Sequence, residues 1–379
     1  MFIINEKIIF KKFLTENTYF FLLASFSMTF IVWVIQAVNQ LDIVSEDGHS
    51  FLIYFYYMLL IFPKTFASIL PTMFFITLFY TLVKYENNNE LKIFWINGID
   101  KIKFYNVILR YTFVFFLIQL FITSFLAPEV QNKARNYIKD STLDFFPSLF
   151  QEKKFIDTVD KLTIFIEYKS ANNKFKNIYL KDETNKFPRI IIAKTGELVL
   201  SGQNKFLRLR DGKFINMNKS KSTIFNFDRT DFDLSKFLTK SITTQKLQET
   251  KIKVLLSCAN LMLIKNKIPK ESIVNCNKES IDEILQEIYK RAFKPIYLFL
   301  LTAILIFLLV SNVEKKNYKF LKVSVFSFGI LVIIISEISI NFITYSFLKI
   351  LITISIPLIV LLILYFIFYK KITYSGKKV

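Results

Sequence analysis

Six long apolar stretches constrain this sequence more than any other feature. A helix needs roughly 20 apolar residues to cross the hydrocarbon core of a membrane. Of the 379 residues 44 are Phe, a content that points to burial in lipid rather than in an ordinary soluble core. We therefore predict six membrane-spanning helices in two groups of three, separated by a long polar insert. The stretches are Thr18–Val38, Phe51–Val83, Phe104–Leu126, Pro295–Asn312, Val323–Ile343 and Phe347–Tyr369.

The second stretch, 51–83, has an unusual length. At about 1.5 Å per residue it reaches about 50 Å, which is too long for one straight span. Two spans and a turn would need more than roughly 40 residues. We predict a single tilted or kinked helix, with Pro63 and Pro71 as the bend points.

The distribution of charge predicts the orientation. The formal net charge is +20, but the basic residues flank apolar stretches instead of forming one basic face, which argues against a nucleic-acid partner. Lysines cluster before the first stretch and after the second, fourth and sixth, whereas the loop holding Asp42, Glu46 and Asp47 has no Lys or Arg. The positive-inside rule then places both termini in the cytoplasm and the insert in the periplasm. The predicted domains are 1–126, 127–291 and 292–379.

The insert has the pattern of a β domain. Leu162, Ile164 and Ile166 alternate with polar or outward positions, which is the period of a half-buried strand. Regular short runs favour an antiparallel sandwich or an open jellyroll-like sheet. Both faces are fairly apolar, so either a closed core or a ligand groove is compatible with the pattern. The further runs are Asn177–Leu180, Arg189–Ala193, Glu197–Leu200, Phe206–Arg210 and Lys213–Met217.

Three local signals refine this picture of the insert. Asp211-Gly212 is the strongest hairpin signal between the predicted strands. After about residue 233 the pattern becomes helical, over Leu234–Lys253 and again over Ser280–Ala292. Cys258 and Cys276 both lie in the exported part, where a disulfide and two separate thiols are both compatible with the sequence.

The sequence excludes several kinds of catalysis. His49 is the one histidine, so histidine-based catalysis and multi-histidine metal sites are ruled out. No G-x-x-x-x-G-K-[ST] loop is present, so the chain does not hydrolyse ATP by itself. We expect no catalytic residue, no metal and no cofactor in this chain, and any ATP to be bound by a partner ATPase.

The first cytoplasmic loop contains a short amphipathic run at about residues 86–98. Asn87–Glu90 is a helix start signal and Gly98 a stop signal. The run predicts a helix at the membrane face, which either shields the bundle or docks a cytoplasmic partner. The apolar residues of the run are Leu91, Ile93, Phe94, Trp95 and Ile96.

These motifs, taken in order, resemble the lipopolysaccharide-export permeases LptF and LptG. Pro63, Leu70-Pro71, Asn89-Glu90-Leu91 and Asn97-Gly98-Ile99 are similar to the family's P…LP…SE(L/I)…GI run. A second cluster comprises Ala127-Pro128 after the third helix and Glu287, Arg291 and Pro295 before the fourth. The resemblance covers the layout of the whole chain.

The resemblance implies a fold, a function and partners. The fold is a six-helix transmembrane bundle, three plus three, with an inserted periplasmic β-jellyroll. The function is that of a permease subunit, most similar to LptF, in an ATP-driven exporter that extracts lipopolysaccharide from the inner membrane. The implied partners are a cytoplasmic LptB-like ATPase dimer, a second LptG-like permease and a single-span LptC-like bridge protein. Glu90 would then lie in a coupling helix that enters a groove of the ATPase, and its carboxylate would pair with a partner cation. The other docking residues that the resemblance implies, which surround Glu90, are Leu91, Phe94, Trp95 and Gly98.

Charged residues within or beside apolar spans are costly and become functional candidates. Glu337 in the fifth helix either serves the lipid path or hydrogen-bonds to a neighbouring helix. Lys64, beside Pro63, is placed to snorkel to an interface. Glu287 and Arg291 are one turn apart and form either a local pair or a device that positions the insert. Pro71 completes this set of lipid-path or structural candidates.

Two alternatives remain open at this point. One is the sister permease LptG, or a permease that exports another lipid or a peptide. The other is a non-transporting membrane scaffold whose β domain recruits periplasmic partners. Recovery of an ATPase and a second six-helix subunit from native membranes would separate the exporter from the scaffold.

Overall fold

The computed structural model describes most of the chain. The described residues are 6–41, 44, 50–149, 152–159, 161–170, 174–184, 188–201, 204–217, 222–234, 246–263, 276, 280–310 and 318–375. The predicted features at Asp42, Glu46, Asp47 and His49 lie outside these residues.

Six apolar helices long enough to cross a membrane occur among the described residues, as predicted. They occupy Glu6–Asn39, Phe51–Asn87, Lys101–Ile138, Ile281–Leu309, Tyr318–Asn341 and Phe347–Lys371. Individual helices are α1 (Glu6–Asn39), α2 (Phe51–Asn87), α3 (Glu90–Ile96), α4 (Lys101–Phe121) and α5 (Ala127–Leu149), then α6 (Ile252–Leu263), α7 (Ile281–Ala292), α8 (Tyr297–Leu305), α9 (Phe307–Val310), α10 (Tyr318–Asn341) and α11 (Phe347–Ser375). The long second stretch is one helix with both prolines inside it, as predicted.

The third and fourth spans contain irregular turns. A π-helical turn at Ile122–Leu126 joins α4 to α5, and a 3₁₀ turn at Lys294–Ile296 joins α7 to α8. A π turn shifts the helical register by inserting one residue into the hydrogen-bond ladder, and Pro295 within the 3₁₀ turn removes a donor from it. The residues that join the third span to the fourth lie in or beside these two turns.

The chain divides into two compact units. One contains 1–34, 61–131 and 246–379, and the other contains 35–60 and 132–245. The second unit therefore includes the ends of α1 and α2 that flank the first loop, while 246–291 belongs with the spans. The boundaries predicted at 127 and 291 stay predictions.

The described part of the central insert contains a six-stranded antiparallel sheet with the strands in sequence order. The strands are β1 (Phe155–Val159), β2 (Leu162–Lys169), β3 (Lys174–Asp182), β4 (Arg189–Ser201), β5 (Asn204–Met217) and β6 (Ser222–Asp233). Of the two predicted architectures, the open sheet is the one observed. Its buried cluster includes Leu162, Ile164 and Ile166, which confirms the alternation that predicted β2.

The hairpin predicted at Asp211-Gly212 was wrong. These residues lie in the middle of β5, where Asp211 alone has a positive φ of 53° and both flanking strands continue past it. A two-residue hairpin of the I′ type needs positive φ at both central positions. Gly212 instead permits close packing, because a Cβ there would lie 2.4 Å from the carbonyl oxygen of Ile192.

Strand pairing also merges runs that were predicted as separate strands. Arg189–Ala193 and Glu197–Leu200 are both parts of β4, and Phe206–Arg210 and Lys213–Met217 are both parts of β5. The two long strands pair with each other over almost their whole length. Local turn signals within them produce an irregularity in the strand rather than a reversal of the chain.

The segment after the sheet is helical, with different bounds from those predicted. Within the predicted helical range 234–253, the described residues 246–253 form a 3₁₀ turn at Leu247–Glu249 and then the start of α6. The prediction for 280–292 is confirmed by α7. A disulfide joins Cys258 of α6 to Cys276, and an apolar cluster packs α6 and α7 against the facing ends of α10 and α11.

Candidate functional site

The short helix α3 follows α2 through a tight turn. Asn89 precedes it in the left-handed region, with φ of 59°, and makes no side-chain cap hydrogen bond. Gly98 follows it with φ of 81° and has open space where a Cβ would lie, so its conformation rather than crowding favours glycine. The short helix predicted from the sequence is thus confirmed, while a side-chain cap from Asn89 is not observed.

One face of α3 fixes the helix to the transmembrane bundle. Leu91 and Phe94 are buried. The ring of Phe94 lies 6.0 Å from that of Tyr85 and 6.1 Å from that of Phe104, measured between centroids. Trp95 meets the same Phe104 edge-on at 5.8 Å. These aromatic contacts tie α3 to both α2 and α4.

The opposite face of α3 presents two aliphatic side chains outward. Ile96 is 83% exposed and Ile93 is 49% exposed. Sequence reasoning placed both residues in the amphipathic run but assigned docking to Leu91, Phe94 and Trp95. The period of the helix gives two apolar faces here, and the sequence does not say which one the bundle covers.

The carboxylate of Glu90 lies in a surface network of charges. Lys12 of α1 is 3.4 Å from Glu90 and 3.9 Å from Glu16, and Lys84 of α2 is 3.6 Å from Glu16. Glu90 therefore has a cation from its own chain within reach, in addition to the partner cation implied by the resemblance. Exposed pairs of this kind stabilise a fold by only about 0–1 kcal/mol.

A second site surrounds Arg291 at the end of α7. Its guanidinium is buried and donates hydrogen bonds to the carbonyls of Thr250 at 2.7 Å, Gln248 at 3.0 Å and Leu247 at 3.2 Å. It also pairs with Glu287 at 2.8 Å. Arg291 and Glu287 thus form the predicted local pair, and Arg291 additionally binds the backbone of 247–250. We call these residues the connector cluster.

The connector cluster is also tied to the third span. Thr123, in the π turn, donates its hydroxyl to the carbonyl of Arg291 at 3.0 Å. A cavity of about 70 Å³ lies beside it, lined among others by Lys64, Gln119 and Gln248. Lys64 donates to the side-chain oxygen of Gln248 at 2.7 Å instead of extending freely to an interface.

Glu337 in α10 forms an ion pair with Lys294, in the 3₁₀ turn that joins α7 to α8 within the fourth span. Lys294 is largely buried, whereas Glu337 is 57% exposed. The contact joins the fourth and fifth spans, which is the neighbouring-helix alternative for Glu337. A further role of Glu337 in a lipid path stays a prediction.

Pro71 has a structural consequence that sequence reasoning did not identify. A proline has no N–H, so the carbonyl of Ala67, four residues earlier, loses its helical donor. The side-chain amide of Gln119 in α4 donates to that carbonyl at 2.8 Å. The signal available in the sequence was the pairing of an in-span proline with a polar residue in a neighbouring span.

A buried polar network joins the first three spans. Asn17 of α1 donates to the hydroxyl of Tyr111 in α4 at 3.0 Å and accepts from Thr81 of α2 at 2.9 Å. Thr112 and Thr302 are 2.9 Å apart and join the third and fourth spans. Among the described residues no group of His, Cys, Asp and Glu has the arrangement of a metal site.

Comparison with known sequences identifies the family. The sequence profile described as the lipopolysaccharide export system permease LptF/LptG matches residues 11–371, which is nearly the whole chain. The chain belongs to the LptF/LptG family. An uncharacterized protein of Rickettsia prowazekii (strain Madrid E), RP871, is similar to it, with 23% identity over 328 residues, 83% of this chain and 86% of that protein.

Family membership agrees with the architecture. An LptF/LptG chain is a permease of lipopolysaccharide export, which accounts for six membrane-spanning helices and an antiparallel sheet inserted between the third and the fourth. The chain is therefore a multi-pass inner-membrane transport permease of that export system. The match is to LptF and LptG together, so the choice between them stays a prediction.

Proposed function

We propose that this chain is the LptF-like permease subunit of an ATP-driven exporter. In this proposal it works with an LptG-like permease, an LptB-like ATPase dimer and an LptC-like bridge protein, and both termini lie in the cytoplasm. ATP is bound and hydrolysed by the ATPase, so this chain needs no cofactor of its own. Its role is to change conformation and move lipopolysaccharide toward the periplasmic bridge.

The observation that carries this proposal is the orientation of α3. Leu91, Phe94 and Trp95 hold the helix against α2 and α4, so a force applied to its outer face is transmitted to two spans. Ile93 and Ile96 leave an apolar strip outward. An exposed apolar strip on a helix fits the groove-docking mode of helix recognition. In this refined assignment Ile93 and Ile96 contact the ATPase, and Leu91 and Phe94 position them.

The remaining candidate residues have two proposed roles, which are to transmit movement between the spans and to support their packing. Arg291 and Glu287 hold the segment 247–250 against the C-terminal end of α7 in the fourth span. Pro63 and Pro71 lie inside α2, and Lys64 and Glu337 link neighbouring elements. We propose that these residues maintain the packing through which ATP-driven movement at α3 reaches the spans.

Co-purification with the ATPase tests the docking assignment. Ile96→Asp should reduce recovery of the ATPase at least tenfold without lowering the amount of permease, because it places a charge in an apolar contact. Lys371→Gln, at an exposed position of α11 outside α3, is the control for a change of surface charge. Unchanged recovery of the ATPase with Ile96→Asp would contradict the proposal.

Exchanging the charges of Lys12 and Glu90 tests the role of Glu90. Glu90→Lys alone removes both the pair with Lys12 and any pair with the ATPase. In the double variant Lys12→Glu/Glu90→Lys the internal pair is restored with its charges reversed. We expect Glu90→Lys to lose ATPase docking and the double variant not to recover it. Recovered docking in the double variant would show that Glu90 acts only by positioning α3.

A further inference from the structure

An apolar cavity lies between the fourth, fifth and sixth spans, away from α3 and the connector cluster. Its volume is about 500 Å³, within the range of about 300–1,000 Å³ that is typical of small-molecule sites. Ile335, Ile338 and Phe342 of α10 form one wall. Ile352 and Ile356 of α11 form the facing wall.

The two hydroxyls that line the cavity, those of Ser339 and Thr353, already have hydrogen-bond partners. Ser339 donates to the carbonyl of Ser336 at 2.8 Å and lies 3.1 Å from the hydroxyl of Tyr289. Thr353 donates to the carbonyl of Lys349 at 2.7 Å. Because these polar groups already have partners and the walls are apolar, ordered water would gain few hydrogen bonds there. A hydrocarbon chain fits the cavity better than water does.

The polarity changes along the length of the cavity. Lys349 lines it in the first turn of α11, and Ile356 lines it two turns further along, about 10 Å away at about 1.5 Å per residue. Lys349 is exposed and has no ion-pair partner in the part of the chain that the structure describes. A cation at the helix end followed by apolar depth matches an amphiphile with an anionic head and an acyl chain.

We propose that this cavity binds an anionic glycerophospholipid from the leaflet on the side of the α10–α11 turn. One acyl chain fills the space between α10 and α11, and the phosphate meets Lys349. The lipid is a bound component of the permease, separate from the cargo. The proposal follows from the cavity and Lys349, and it does not depend on the assignment of α3.

Native mass spectrometry of the delipidated full-length permease, purified with its native partners, tests the proposal. The probes are phosphatidylglycerol and phosphatidylcholine with identical acyl chains. Ile352→Phe fills the cavity and should lower retention of phosphatidylglycerol at least fivefold. Leu351→Phe is the matched control, because Leu351 adjoins it, is similarly exposed at 49% against 53%, and does not line the cavity.

The charge at Lys349 is tested separately. Lys349→Gln should lower the preference for phosphatidylglycerol over phosphatidylcholine about fivefold, which is the effect of removing one lysine near a lipid headgroup. Lys319→Gln, at the opposite end of α10, is the control and should leave the preference unchanged.

Three results would overturn the proposal. The first is equal phosphatidylglycerol retention by Ile352→Phe and Leu351→Phe. The second is an unchanged lipid preference after Lys349→Gln. The third is displacement of phosphatidylglycerol by lipopolysaccharide with the same dependence on both residues, because the cavity would then belong to the cargo.

Discussion

Gln119 replaces with a side chain the hydrogen bond that Pro71 removes from the backbone of α2. The hydrocarbon core offers no water to an unpaired carbonyl, so an unsatisfied group there costs several kcal/mol. The bond from Gln119 to the carbonyl of Ala67 therefore couples α4 to α2 where the proline weakens the helix. The other side-chain atom, Oε1, meets no donor among the described residues, so the amide nitrogen carries the stabilisation.

Gln119→Met is expected to destabilise the protein by about 1–3 kcal/mol, the cost of an unsatisfied buried carbonyl. In the background Pro71→Ala the loss should largely disappear, because residue 71 then donates its N–H to Ala67. A double-mutant cycle in thermal melts of the purified protein measures this coupling. Gln131→Met is the control: Gln131 also donates to a backbone carbonyl, that of Ala127, but within its own helix. Equal losses in both Pro71 backgrounds would refute the argument.

Gly329 of α10 allows the fifth span to approach the second. A Cβ at this position would lie 2.0 Å from the ring of Phe75, which is fully buried. Gly329→Ala should therefore cost about 1–3 kcal/mol by overpacking and lower the melting temperature. Ser327→Ala on the exposed side of α10 should leave it within a degree or two. A melting temperature unchanged by Gly329→Ala would show that the two helices separate without penalty.

At the scale of elements, the connector cluster concentrates its hydrogen bonds on one side chain. Arg291 donates to three carbonyls and pairs with one carboxylate. Replacing Glu287 removes one of these contacts, its pair with Arg291. Arg291→Met should destabilise the protein by about 3–5 kcal/mol, because it removes the ion-pair partner of a largely buried carboxylate and a donor to the carbonyls of Gln248 and Thr250. Glu287→Gln should cost less, because glutamine can still accept from Arg291.

Limited proteolysis between residues 246 and 263, combined with thermal melts, measures the effect on this connector. Faster cleavage is expected for Arg291→Met, with a smaller change for Glu287→Gln. If the two variants were cleaved at the same rate, the three carbonyl contacts would contribute nothing to holding the segment.

Long elements were predictable where one physical requirement dominates. The need to bury apolar stretches fixed the six spans, and alternation fixed β2. The split of β4 and β5 was wrong because cross-strand pairing outweighs a local turn signal such as Asp211-Gly212. The outward face of α3 and the bonds of Arg291 were not predictable, because both depend on contacts between residues far apart in the sequence.

At the scale of the whole molecule, the disulfide bears on orientation. Cys258 and Cys276 are joined, and disulfides persist in oxidising compartments such as the bacterial periplasm. This agrees with the periplasmic insert predicted from the lysine distribution. The same orientation puts α3 in the cytoplasm, where the proposed ATPase partner operates. The compartment of the disulfide, the compartment of the sheet and the compartment of α3 therefore all follow from the same predicted topology.

Cysteine labelling in cells tests that topology directly. In a Cys258→Ser/Cys276→Ser background, Ile96→Cys in α3 and Ile224→Cys in β6 provide single exposed thiols, since these positions are 83% and 61% exposed. A maleimide that does not cross the inner membrane should label Ile224→Cys in cells with a permeabilised outer membrane and leave Ile96→Cys unlabelled until the inner membrane is opened. The reverse labelling pattern would show the opposite orientation, in which α3 could not meet a cytoplasmic ATPase.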